Sequence, residues 1–331
     1  MPHRREKRDV VELALAALLP LRPISLLALN EVDIALRPRA LDQLQSALGL
    51  PHSEFFGHVR GTYGNALLSA QPLSRRSQVL LDGGTVVLDA QNREHRIVRG
   101  MLSCDAQLGE LPVTIAVTHL DHIAEDERAV QVSHILRELQ SFPAPGARPS
   151  RHTLLLGDLN ALMSADYSPI QWQQHAAHNE HKGWGAPRDS AAAGGCLAAL
   201  ARAGFTDCVR ESLLLPGGNG DSDGEGAPRW RQPPWTAHAH VDGPRYRIDY
   251  VMLAQPDYAM ARAGGAVAAA AASPLPAREG GLESGKSGDN AVRRLVPVAA
   301  RVENATDDGG LSSDHAPVAV DFAVESVRAI V

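Results

Sequence analysis

The chain has 331 residues, 44% of them hydrophobic and 21% charged, with 32 Lys and Arg against 38 Asp and Glu for a formal net charge of −6. No window approaches the roughly 18–20 uninterrupted apolar residues of a membrane helix, and the three cysteines, Cys104, Cys196 and Cys208, form no Cys-x-x-Cys pair. That pattern excludes a disulfide scaffold or a cysteine zinc site and fits a reducing, cytoplasmic or nuclear compartment, while the mild acidity argues against holding nucleic acid through a bulk positive field.

The first segment, Met-Pro-His-Arg-Arg-Glu-Lys-Arg followed by apolar residues, has the outline of a targeting peptide, but Glu6, Asp9 and Glu12 interrupt it. Val10, Leu13, Ala14, Ala17 and Leu18 recur at helical spacing, so a helix over 8–19 is expected. A strand over 24–29, a helix over 39–48 and strands over 65–69 and 113–118 follow, each an apolar run bounded by turn residues. The helix over 124–140 is expected to turn Val130, His134, Ile135 and Leu139 inward and Glu125, Glu127, Arg128 and Arg137 to solvent. A strand over 153–156, a helix over 190–203 and strands over 246–253, 296–302 and 318–322 complete the pattern. Pro-rich 141–151, Gly/Asp/Pro-rich 216–234 and Ala/Gly/Ser-rich 262–290 read as flexible insertions that cannot build a core. Strands and helices mixed without regular alternation point to an α/β or α+β sandwich with helices outside, in a single domain over 1–331.

Polar residues sit where the apolar runs end. The first run closes in Asn30-Glu31, the third in Thr118-His119-Leu120, the next in Gly157-Asp158-Leu159-Asn160; Arg247-Ile248-Asp249-Tyr250 lies inside a strand and Ser313-Asp314-His315-Ala316-Pro317 precedes the last one. If those ends gather at one edge, acids, amide and imidazole converge in a pocket. Asp158 and Asn160, two apart, point to one side of an extended segment. Glu31 and Asp314 suit a hard cation such as Mg²⁺, which takes one or two carboxylates and is completed by water and substrate phosphate. Acid, imidazole and metal together are the groups that hydrolyse a phosphoester.

The ordered set Leu29-Asn30-Glu31-Val32, Tyr63-Gly64-Asn65-Ala66-Leu67-Leu68-Ser69, Thr118-His119-Leu120, Gly157-Asp158-Leu159-Asn160, Arg247-Ile248-Asp249-Tyr250 and Ser313-Asp314-His315-Ala316-Pro317 resembles the endonuclease/exonuclease/phosphatase superfamily. The resemblance implies a DNase I-like fold, a two-sheet β-sandwich flanked by helices in four layers, and a Mg²⁺- or Mn²⁺-dependent phosphoester hydrolase. It implies Glu31 and Asp314 as metal ligands, and His315 as the imidazole that helps activate water, with Asp249 holding its tautomer. Asp158 would orient the water, Asn160 would donate to a phosphoryl oxygen, and His119 would contact phosphate near the leaving group. Asn65 would line the pocket against substrate, and Arg247 can reach substrate phosphate, although an ion pair on the strand is the favoured reading of Arg247. The family opens with a strand carrying an Asn, 20–30 residues ahead of the helix that leads to the Glu strand; with Met1 at that helix, the first strand is expected to be missing.

The resemblance leaves the substrate open among nucleic acid, small phosphates and lipid phosphates, with no stable protein partner implied. Alternatives are a phosphomonoesterase, a sphingomyelinase-like enzyme, or an inactive binding protein silenced by the missing strand. His175, His178 and His181 lie three apart, a spacing that can bind zinc, but a polar, partly exposed helix or loop is the favoured reading. Four tryptophans, Trp172, Trp184, Trp230 and Trp235, read as a satellite core that anchors loops, or as a wall that stacks bases or sugars.

Overall fold

A computed structural model describes residues 14–15, 18–21, 23–89, 91–141, 152–214, 236–238, 244–255, 291–302, 315 and 318–328. In chain order its strands are β1 (Leu26–Asp33), β2 (His52–Val59), β3 (Tyr63–Ser69), β4 (Ser74–Leu80), β5 (Val86–Leu88), β6 (Glu94–Arg96), β7 (Gly100–Leu108), β8 (Leu111–Thr118), β9 (His152–Asp158), β10 (Phe205–Asp207), β11 (Ala237–His238), β12 (Arg245–Tyr246), β13 (Asp249–Ala254), β14 (Ala291–Val302) and β15 (Val318–Arg328). The helices are α1 (Ala40–Leu48), α2 (Glu125–Ser141), α3 (Pro169–Lys182), α4 (Cys196–Arg202) and α5 (Cys208–Leu214). No helix among the described residues is long and apolar enough to cross a membrane.

Three strands pair in the order β1-β3-β2 and six in the order β10-β13-β9-β8-β7-β4, while β14 and β15 form a long antiparallel pair. Successive side chains of a strand point to opposite faces. Leu67 of β3 therefore packs with Leu102, Cys104, Val113 and Ile115 of the larger sheet, while Ala66 and Leu68 meet Leu44 and Leu48 of α1. The far face of the larger sheet, with Met101, Ala116 and Leu155, is covered by Val132 and Ile135 of α2 and by Leu197 and Leu200 of α4. All three cysteines are buried free thiols.

The pairing that matters most for the site is β8 with β9, which run parallel. Parallel neighbours need a crossover, here supplied by α2, and they end at the same edge of the sheet. His119 and Asp158 are thereby delivered side by side. β13 runs antiparallel to β9 with Asp249 opposite Asp158, so it starts at that edge.

Several expectations are revised. Val130 on α2 is exposed, whereas Glu125, Arg128, Gln131, Val132 and Ile135 are buried. Glu125 goes inside because its carboxylate accepts from Arg128 Nε (2.8 Å), Ser190 Oγ (2.7 Å) and the Cys196 amide (2.7 Å). Buried charges survive when paired and hydrogen-bonded in this way. The helix expected over 190–203 begins only at Cys196, after Gly194 and Gly195. The strand expected over 246–253 is interrupted at Arg247 and Ile248, where the amides of Ile248 and Asp249 turn to Thr236 Oγ1 instead of a neighbouring strand. Of the helix expected over 8–19, Ala14, Leu15 and Leu18 are described and helical. The missing first strand concerns a region outside the described residues, as do the three insertions apart from Ser141, which closes α2.

Candidate active site

Glu31 reaches the site through a bulge. Between Leu29 and Val32 on β1, two residues, Asn30 and Glu31, oppose the single residue Asn65 on β3, and Glu31 takes the left-handed conformation (φ 58°). Such a bulge bends the strand and re-aims a side chain, at a backbone cost of about 1 kcal/mol or more for a residue other than glycine. The side chain of Glu31 is exposed and lines a cleft with Tyr63, Arg99, His119, Asp158 and His315, a cavity of about 430 Å³.

Asn30 turns the other way and joins the two sheets. Its amide donates to Asn65 Oδ1 (2.9 Å) and to the Thr118 carbonyl (3.0 Å), and its Oδ1 accepts the Asp158 backbone amide (2.9 Å). Asn65 is fully buried and donates to the Gly100 carbonyl (2.8 Å). Asn65 is therefore not a cleft residue, contrary to expectation: it holds Asn30 from behind. At Gly157 (φ 132°) a Cβ would stand 2.0 Å from the Thr118 carbonyl oxygen and 2.8 Å from Asn30 Oδ1, so only glycine lets these strands approach.

Asp158, buried between the two imidazoles, lies with Oδ2 3.5 Å from His119 Nε2 and 3.8 Å from His315 Nε2. Its Oδ1 accepts the Asn160 backbone amide (2.8 Å), and Asn160, itself left-handed (φ 48°), donates its side-chain amide to the Leu120 carbonyl (3.1 Å). Burial, and then the negative charge of Asp249, push the Asp158 carboxyl up. His315 Nδ1 lies 2.9 Å from Asp249 Oδ2, which fixes the proton on Nδ1 and leaves Nε2 facing the cleft. Ligand atoms of Asp158, Asp249 and His315 all fall within 4.8 Å of one another. Asp314 lies outside the described residues.

Arg99, just ahead of β7, has no counterpart among the expected site residues. It is buried beneath the cleft, with Nη1 3.4 Å from His119 Nδ1 and Nη2 3.2 Å from His122 Nδ1. A guanidinium only donates, so both Nδ1 atoms accept and both rings are neutral with the proton on Nε2. Burial first, then the Arg99 charge, hold His119 well below the ordinary histidine range, in agreement with that tautomer. Tyr63, also unforeseen, lines the cleft with Glu31; burial first, and then the neighbouring Glu31 carboxylate, push its phenol up.

Arg247 is not brought to the cleft. It is fully buried, its guanidinium paired with Asp166 and Asp207 beneath β13, so the expected substrate contact is withdrawn in favour of an internal ion pair. His175 is buried between the rings of Tyr167 (4.5 Å) and Tyr246 (4.6 Å), an aromatic environment without metal-binding partners among the described residues. Trp172 joins the satellite cluster of Leu162, Tyr167, Ala237 and Ile248, as a loop anchor would; Trp230 and Trp235 lie outside the described residues.

The mixed α/β fold thus gathers acids, an amide and imidazoles around one cleft. The chain belongs to the endonuclease/exonuclease/phosphatase family, whose profile matches residues 3–315. No curated protein sequence matches it significantly. Among solved structures it is similar to the endonuclease/exonuclease/phosphatase from Bacteroides vulgatus, at 12% identity and a TM-score of 0.54 over 96% of this chain and 91% of that one. It also matches the endonuclease/exonuclease/phosphatase from Beutenbergia cavernae (17% identity, TM-score 0.49, 94% of this chain) and the human nocturnin catalytic domain with bound sulfate (16%, 0.48, 95% of this chain and 86% of that one). The chain spans 65% of the length of the Beutenbergia cavernae chain. At these identities the likeness is one of fold.

Proposed function

We propose that the protein is a divalent-metal-dependent phosphoester hydrolase in which water attacks phosphorus in line with the departing oxygen. The observation that carries the reading is the meeting of Glu31, His119, Asp158 and the Asp249–His315 pair around one cavity, brought there by the bulge of β1 and the ends of β8, β9 and β13. His315 Nε2, oriented by Asp249, takes the proton of the attacking water as the new P–O bond forms and the bond to the leaving oxygen breaks. Asp158 orients that water. Nε2–H of His119 donates to a phosphoryl oxygen, and the second amide hydrogen of Asn160 donates to another as charge develops.

The donor set fits a hard cation: exposed Glu31 at the cleft wall and the clustered oxygens of Asp158 and Asp249, with Asp314 adjoining His315 in sequence. Such an ion, Mg²⁺ or Mn²⁺, would be held chiefly by Glu31 and Asp314 and would supply neutralisation of the phosphate charge. Hydrolysis of bis-p-nitrophenyl phosphate stimulated by Mg²⁺ in the wild type, and lost in Glu31→Ala and His315→Ala, is the expected result. Equal rates in all three proteins would overturn the reading.

A further inference from the structure

Beside the cleft lies a second cavity of about 430 Å³, which shares His122, Asn160 and His315 with the first. The two differ in chemistry. Where the first is lined by Glu31, Arg99, His119 and Asp158, the second is walled by rings: His122, His178, Trp184 and Tyr246.

Backbone geometry holds this wall in place. Gly183 ends α3 in the left-handed conformation, and the Trp184 amide then donates back to the Asn179 carbonyl (2.9 Å), which fixes where the indole leaves the helix. The indole meets His122 at 5.4 Å and His178 at 6.2 Å between ring centroids, with interplanar angles of 78° and 75°; His178 meets Tyr246 at 6.2 Å and 67°. All these contacts are edge to face. The parallel stacking geometry is therefore not used within the wall, although aromatic groups adopt it readily.

We propose, on the reading that the first cavity takes a phosphoester, that the second cavity receives a planar aromatic group of the nucleobase class joined to that phosphate, stacked on Trp184. A cavity of this volume holds a base. An acyl chain finds no continuous apolar wall here, because Asn179, Lys182 and Arg188 alternate with the rings. A polyol phosphate meets ring faces only through its C–H groups and gains less from them than a planar base does, so it is disfavoured here. The chemistry selects a nucleotide, as a free molecule or as a residue of a single strand whose bases are unstacked.

Calorimetric binding of adenosine 5′-monophosphate and ribose 5-phosphate to the full chain, in parallel with hydrolysis assays, tests the assignment. The wild type is expected to bind the adenine compound more tightly. Trp184→Leu should lose roughly 5- to 150-fold of that affinity, the span of base–aromatic stacking, with ribose 5-phosphate unaffected and Trp184→Phe largely restoring the preference. Equal binding of the two compounds, no binding of either, or equal weakening of both in Trp184→Leu would overturn the base site. Turnover without base preference refutes this inference alone. Base binding that depends on Trp184 in a protein without turnover supports it and refutes the hydrolase reading instead.

Discussion

Asp158 and Asp249 are register partners on β9 and β13, and the His315 ring stands against both, Nδ1 2.9 Å from Asp249 and Nε2 3.8 Å from Asp158. Two carboxylates side by side thus take different roles. Asp249 accepts the imidazole proton and sets the tautomer, while Asp158, pushed up by burial and then by its neighbour's charge, is the carboxyl that the proposed mechanism leaves for water and phosphate.

Asp249→Asn keeps the shape and removes the acceptor that selects the His315 tautomer. We expect kcat to fall by about 10²–10⁴-fold with KM nearly unchanged, as for other imidazoles whose orienting carboxylate is lost. Steady-state kinetics on a chromogenic diester measure the split; a variant that changes KM alone would show that Asp249 acts on binding.

Metal removal should abolish turnover, and Mg²⁺ or Mn²⁺ should restore it. In Glu31→Gln, which keeps the side-chain length and loses the charge, the Mg²⁺ concentration for half-maximal rate is expected to rise at least about tenfold. A metal titration of the initial rate reads this directly, and an unshifted midpoint would remove Glu31 from the ligand set.

Glu125→Ala strips a buried carboxylate from Arg128, Ser190 and the Cys196 amide at once. Breaking a buried pair from one side leaves the other charge unpaired, and the expected loss is about 3–5 kcal/mol of stability. Glu125→Gln, which can still accept two of the hydrogen bonds, should lose less. Urea denaturation midpoints give both values.

His175 is buried, neither ring nitrogen has a hydrogen-bond partner among the described residues, and burial lowers its pKa to about 4. The folded state keeps the ring neutral while the unfolded chain takes up a proton near the ordinary imidazole value of 6.5. Stability from this group is therefore full above that value and falls as pH drops from 6.5 towards 4, by a total on the order of 3 kcal/mol, of which roughly 2 kcal/mol is lost by pH 5. Urea midpoints at pH 7.5 and 5.0 should differ accordingly, and His175→Phe should narrow the difference. His58, also buried and lowered to about 4, leaves a residual dependence in that variant.

The site was legible in the sequence where chemistry punctuates a buried strand. The runs before Glu31, His119 and Asp158 are nearly all apolar because both faces are covered, so a polar residue at their ends stands out. β2 and β4 escaped notice because they lie at sheet edges and read His-Ser-Glu-Phe-Phe-Gly-His and Ser-Arg-Arg-Ser-Gln, without a continuous apolar run. The inward face of α2 was mistaken because Glu125 and Arg128 are charged and Val130 is not; only the partners Ser190 and Cys196, remote in sequence, decide which side is covered. Arg99 had no motif to mark it. Its signal is its place ahead of a strand whose neighbour ends in Thr118-His119, visible once β7 is known to pair with β8. For Arg247 an ion pair was legible as the favoured reading over a substrate contact, but not its partners, because Asp166 and Asp207 lie 81 and 40 positions away.

The knot of Asn30, Asn65, Thr118 and Asp158 ties β1 and β3 to the ends of β8 and β9, and it bears on how the chain acquires its geometry. Neither sheet can place the cleft residues alone, since Glu31 belongs to one and His119 and Asp158 to the other. During refolding, secondary structure can return in each sheet separately, yet the catalytic arrangement exists only once the sheets have docked. Recovery of turnover after dilution from denaturant should therefore trail the recovery of far-ultraviolet circular dichroism, and an Asn30→Ala chain should widen that lag more than it shifts the dichroism itself.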